Sequence, residues 1–118
     1  MYNHSMIIVT KTISIADLKE MAVAGFGNMV KAVVDIARDV IAVDAELHSD
    51  LEAMLLDDGS KQKDLWGVNI YPEMTGDDFI EFDSLINIRP SQGNKSRGVE
   101  DERVRKRVIV VVNNRITQ

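Results

Sequence analysis

The sequence predicts an α+β domain, one mostly antiparallel sheet with helices covering one face, and three observations carry that prediction. Residues 15–24 and 101–115 repeat their apolar side chains at helical spacing. Between 6 and 88 several runs are β-branched or alternate apolar with polar, as strands do. Tight, turn-rich connections link neighbouring runs, which pairs them as hairpins.

The elements follow in order. Met6 to Val9 is a short β-branched strand. Ser14 reads as a helix N-cap, with Asp17 three residues on as a shorter stand-in for a capping-box Glu and Ile13 and Leu18 in the two positions of a hydrophobic staple. Ile15, Leu18, Met21 and Ala22 continue that helix, and Gly25 and Gly27 end it. Val30 to Ile36 and Val40 to Leu47 alternate around Ala37-Arg38-Asp39, a hairpin; a helix over 29–45 is the competing reading, and the β-branched content favours strands. Ser49 or Asp50 caps a short helix carrying Leu51, Met54 and Leu55 and closing at Gly59. Trp66, Val68 and Ile70, then Ile80, Phe82, Ile86 and Ile88, read as a second hairpin, with Trp66 in the core. The stretch 90–98, rich in Gly, Ser, Pro and Asn, reads as a loop. In the last helix Val104, Val108, Val111 and Val112 form the apolar stripe, with acids at the start and Arg115 at the end, as the helix dipole favours.

At 118 residues the chain fits one domain, expected over residues 6–118 behind a disordered leader, 1–5. With 45% apolar and 28% charged residues, disorder and fibrous repeats are excluded. The longest apolar stretch, Val108 to Val112, is far short of the ~20 residues of a membrane helix, so no membrane partner is expected. There is no cysteine, which removes disulfides, thiolate zinc sites and cysteine nucleophiles, and makes the cytoplasm the expected location. A net charge of −5 argues against broad nucleic-acid binding. The charge is segregated. Residues 41–60 hold Asp44, Glu46, Asp50, Glu52, Asp57 and Asp58 and no Lys or Arg, whereas 89–98 hold Arg89, Lys95 and Arg97 and no acid.

Three stretches carry a resemblance: Glu46-Leu47-His48-x-Asp50; Asp58-Gly59-Ser60-x-Gln62-x-Asp64-Leu65-Trp66-Gly67-Val68-Asn69; and Phe82-Asp83-Ser84-Leu85-Ile86-Asn87-Ile88-Arg89-Pro90-Ser91-Gln92-Gly93-Asn94. In these the chain resembles a family of small prokaryotic proteins known only as a domain of unknown function. The resemblance runs over most of residues 6–116. It implies a bacterial or archaeal single-domain protein and brings no activity, cofactor or catalytic residue with it.

Three constellations could carry chemistry. Strand alternation puts Glu81, Asp83, Asn87 and Arg89, with Asn69 and Tyr71, on the polar side of the sheet, either a solvated face or a ligand face. Glu46, His48, Asp50 and Glu52, spaced by two, would share one side of an extended chain and suit a divalent ion or acid–base work; an ordinary cap and acidic helix surface is the plainer reading, and no metal is expected. The loop Arg89 to Gly98 could hold an oxyanion through its backbone N–H groups, Arg89, Lys95, Arg97 and Asn94; alternatively it is a basic surface loop or docks a partner. It matches no nucleotide-binding fingerprint, and no cofactor is expected.

These residues support three functional classes. The leading one is a binding module that holds a polar anionic ligand or a protein partner through Arg89, Asn94, Lys95, Arg97, Asn69 and Asn87. The second is a small metal-dependent hydrolase or nuclease using His48, Asp50 and Asp83. The third is an interaction protein, a homodimer paired through a free sheet edge.

Overall fold

A computed structural model describes residues 4–118. Of the expected leader, residues 1–3 lie outside the described residues, while His4 and Ser5 are held by the Asp44 carboxylate at 3.0 and 3.4 Å. The strands and helices, in chain order, are Ile7–Val9 (β1), Ile13–Ser14 (β2), Ile15–Ala24 (α1), Val30–Asp35 (β3), Val40–Val43 (β4), His48–Asp57 (α2), Leu65–Ile70 (β5), Ile80–Glu81 (β6), Glu102–Arg115 (α3) and Ile116–Thr117 (β7).

Five strands form one sheet in the order β1-β4-β3-β5-β6, antiparallel throughout. The hairpin reading therefore holds for residues 30–43, whereas 44–47, expected to continue the second strand, leave it at Asp44, which has φ +75°. The hairpin turn is fixed by Asp35, whose buried carboxylate accepts the N–H groups of Ala37 and Arg38, both at 2.9 Å, and the Ser60 hydroxyl at 2.6 Å. A carboxylate that closes its own turn in this way makes the reversal a local property of the sequence. The Ser14 cap also forms: its Oγ accepts Asp17 N–H at 3.0 Å.

Alternation along the strands divides the core. Ala32, Val34, Ile41, Val43, Trp66, Val68 and Ile70 face α1 and α3, which contribute Leu18, Ala22, Val108, Val111 and Val112. Val33, Val40, Ala42 and Leu65 face the other way and are covered by Leu51 and Leu55 of α2. Helices α1 and α3 thus share one face, and α2 covers part of the other. The small parallel pair β2–β7 ties the C-terminus to the start of α1.

Two local readings are corrected. Neither Ser49 nor Asp50 caps α2; the helix begins two to three residues earlier, with Leu47 in the cap position and no side-chain cap. Of the expected strand 80–88, only Ile80 and Glu81 pair with β5. Leu85–Asn87 is instead a single 3-10 turn, opened by Ser84, whose Oγ accepts Ile86 N–H at 3.3 Å.

Candidate functional site

Hydrogen bonding across the sheet alternates residue by residue, so one bond fixes the direction of every strand's main-chain groups. Asp44 N–H reaches Lys31 C=O at 3.2 Å. Counting from that bond through the register, Ile7 and Val9 point their main-chain groups at β4, and Ile8 points its N–H and C=O out of the sheet. The same count turns the main-chain groups of Leu65 and Gly67 away from β3, towards the opposite flank.

That opposite flank is closed by side chains. Asn87, wholly buried, accepts Gly67 N–H at 2.8 Å through Oδ1 and donates from Nδ2 to Gly67 C=O at 3.0 Å and Arg97 C=O at 2.9 Å. Its amide thus occupies the place of a strand. Arg89 donates from both terminal nitrogens to the carbonyls of Gln62 and Leu65, and its guanidinium lies 4.2 Å above the Trp66 ring. Burial lowers its pKa, opposed by the charges of Glu52 and Asp64, and an arginine stays protonated regardless. Gly67 is required here, because a Cβ would come within 2.6 Å of Ser84 Cβ. Trp66 is core as expected, but its indole N–H has no partner among the described residues.

The loop is built rather than loose. Main-chain bonds join Arg89 and Asn94, and Gly93 takes the left-handed conformation at φ +81° that the reversal needs. Asn94, buried, donates from Nδ2 towards the carbonyls of Asn87, Ser96 and Gly98 and accepts Glu100 N–H at 2.8 Å. The N–H groups of Lys95 and Ser96 do converge on an oxyanion, the Glu100 carboxylate, at 2.6 and 2.9 Å. Those two bonds lower the Glu100 pKa. The chain therefore supplies its own anion. Sequence reasoning missed Glu100 as the occupant, although an acid directly after a Gly/Ser/Asn loop was the available signal.

Of the remaining candidates Asp50 stands apart, whereas Asn69 and Asp83 lie near enough to His48 to favour its protonated form, against the stronger effect of burial. Arg97, exposed, pairs through Nε with Asp83 Oδ1 at 2.6 Å. Asn69, buried on β5, donates to Glu81 Oε1 at 2.8 Å and to Asp83 C=O at 3.4 Å; Tyr71 hydroxyl joins Glu81 Oε1 at 3.0 Å. Part of the expected polar face thus exists, as Asn69, Tyr71 and Glu81, while Asn87 and Arg89 turn inward. His48, the first residue of α2, is buried and donates Nε2–H to Val68 C=O at 2.8 Å. Asp50, two residues on, points to the other side of the helix and is exposed. The spacing by two that would align Glu46, His48, Asp50 and Glu52 needs an extended chain, and the helix removes it. Among the described residues no three of His, Cys, Asp and Glu form a group that could hold a metal ion.

His48 has a measurable consequence. Burial holds its pKa below the ordinary 6.5, so the folded protein keeps it neutral where the unfolded chain takes up a proton. The stability it contributes is complete above about pH 6.5 and falls as pH drops below that, by up to about 1.4 kcal/mol per pH unit. Urea unfolding between about pH 7.5 and 5 should show the parent losing stability faster than a His48→Gln variant; parallel curves would remove this account.

The fold and these contacts define a small α+β scaffold in which most of the polar residues that attract notice in the sequence serve as main-chain partners. The chain belongs to DUF5674, a family of proteins of unknown function, whose family model matches residues 7–115. No curated protein and no solved structure matches it.

Proposed function

We propose that the protein is a non-enzymatic binding module that receives a protein segment as an added strand along β1. The contrast between the two flanks of the sheet supports this reading. On the β5 side the outward main-chain groups of Gly67 and Leu65 are met by Asn87 and Arg89. On the β1 side Ile8 offers an N–H and a C=O next to exposed Met6 and Ile7. Main-chain hydrogen bonding along an open edge gives a partner affinity, and side-chain pockets beside it give specificity. Such a pocket is present: a groove of about 630 Å³ between β1 and α1, lined by Val9, Ile13 and Met21 with Lys11, Asp17 and Glu20.

A protein partner is favoured over the anionic small molecule because the loop's N–H groups already hold Glu100 and Arg89 is committed to carbonyls. The hydrolase or nuclease alternative has His48 spent on Val68 and Asp50 turned away from it. No helix among the described residues is long and apolar enough to cross a membrane. The cysteine-free composition supports a cytoplasmic setting for the binding.

Residue-resolved hydrogen exchange on dilute protein tests the edge. The Ile8 amide should exchange rapidly while those of Ile7 and Val9, bonded to β4, exchange slowly, and a short extended peptide of alternating Val and Lys should slow Ile8 on binding. An Ile8 amide protected as well as its neighbours at every dilution would mean that the edge is not open, and the reading would fail.

A further inference from the structure

We infer that the strand received at β1 is β1 of a second copy of this chain, an inference that rests on the open-edge reading above. The edge is its own complement. Because Ile8 directs both main-chain groups outward, a two-fold axis between two Ile8 residues joins antiparallel β1 strands by a mutual pair of hydrogen bonds. The two sheets become one.

The side chains fit the same register. With Ile8 opposite Ile8, Ile7 of each copy falls opposite Val9 of the other. Ile7 pairs in its own sheet with Val43 and so faces the α1 and α3 side, yet it is 42% exposed in the single chain. Val9, on that same side, lines the groove that continues to Ile13 and Met21. Each copy therefore brings an uncovered isoleucine to the mouth of the other's apolar groove. Charge supports a copy over a uniformly acidic or basic segment. The groove carries Lys11 against Asp17, Glu20 and Asp44, the last already engaged by His4 and Ser5 N–H, so a partner must answer both signs, and a second copy presents the same cation and the same acids in reverse.

Two features set the strength. β1 is three residues long, so the contact is small, and each copy carries a net charge of −5. Association should therefore be weak and should tighten with added salt as the long-range repulsion is screened.

Sedimentation velocity on the full chain, from low micromolar to several hundred micromolar and at low and moderate sodium chloride, reads the mass directly. The expected result is a rise from 13.2 kDa towards twice that value, more complete at the higher salt, with the Ile8 amide becoming protected over the same concentrations. Ile8→Pro removes an N–H that points out of the sheet and has no strand partner among the described residues, and it should abolish the rise. Ile7→Lys, at an exposed position, should do the same if the proline disturbs the strand; thermal unfolding identifies which variants remain folded. A chain that stays at 13.2 kDa while its Ile8 amide remains fast overturns the second-copy inference and leaves the open edge standing. A dimer that persists in the folded variants overturns it as well, by placing the contact elsewhere. Protection of Ile8 at all dilutions fails the edge reading itself, so the two failures are distinguishable.

Discussion

Asn87→Leu is expected to lower stability by about 3–5 kcal/mol, the largest loss from any single side chain considered. The loss arises from what the substitution strands rather than from what it removes. Gly67 N–H and C=O face away from β3, and Asn87 supplies the partner for each. Without the amide both groups stay buried and unbonded, at about 1–3 kcal/mol apiece. Arg97 C=O is spared, since Ser84 N–H also reaches it at 2.9 Å. Urea unfolding should show the loss in the midpoint with the slope unchanged.

Asn87→Asp separates this account from a simple packing defect. The new carboxyl keeps an acceptor for Gly67 N–H but faces two carbonyls with no donor when ionised. Its pKa in the folded state should be raised, so the variant should gain stability relative to the parent as pH falls from neutral through that raised value and lose it again on return. A variant equally weakened at every pH, or an Asn87→Leu protein within about 1 kcal/mol of the parent, would show that the amide does not act as a strand substitute.

The part of the fold legible in the sequence is the part written in short-range periodicity. Ser14 with Asp17 announces α1, and the alternation of Val30 to Asp35 announces the hairpin, because a cap and a pleat each depend on neighbours a few residues away. The run Ile80, Phe82, Ile86, Ile88 looked equally like a strand. It leaves the sheet because Asn87 must reach Gly67, twenty residues back, a demand that no periodicity records. His48 and Asp50 show the same limit from another side: a spacing of two means one face on a strand and opposite sides on a helix, so the candidate metal site depended on an unresolved choice of conformation. In the loop, the composition that read as unable to pack is packed by its own polar side chains. Asn94 and Glu100 satisfy main-chain groups that apolar contacts would otherwise have to shield. Three of the motif residues behind the family resemblance, Gly67, Asn87 and Arg89, meet at that closed flank, so in this chain they mark how the sheet ends.

Arg89 extends that argument to a charged residue, the one best suited by sequence to grip an anion. A guanidinium on a rigid element is the better bidentate partner for an oxyanion, but here its fork is matched to two carbonyls and its plane to the face of Trp66. Arg89→Met should therefore destabilise the ligand-free protein by about 2–4 kcal/mol, because the buried Leu65 carbonyl and the part-buried Gln62 carbonyl lose charge-assisted bonds and the Trp66 face loses its cover. Arg89→Lys should recover only part of this: a single ammonium can reach one carbonyl well but cannot span both or stack flat. The loss should change little with added salt, since the partners are dipoles in a buried site rather than exposed carboxylates. If instead both variants keep the parent's urea midpoint and lose affinity for inorganic phosphate, Arg89 is a ligand group and its carbonyl contacts are incidental.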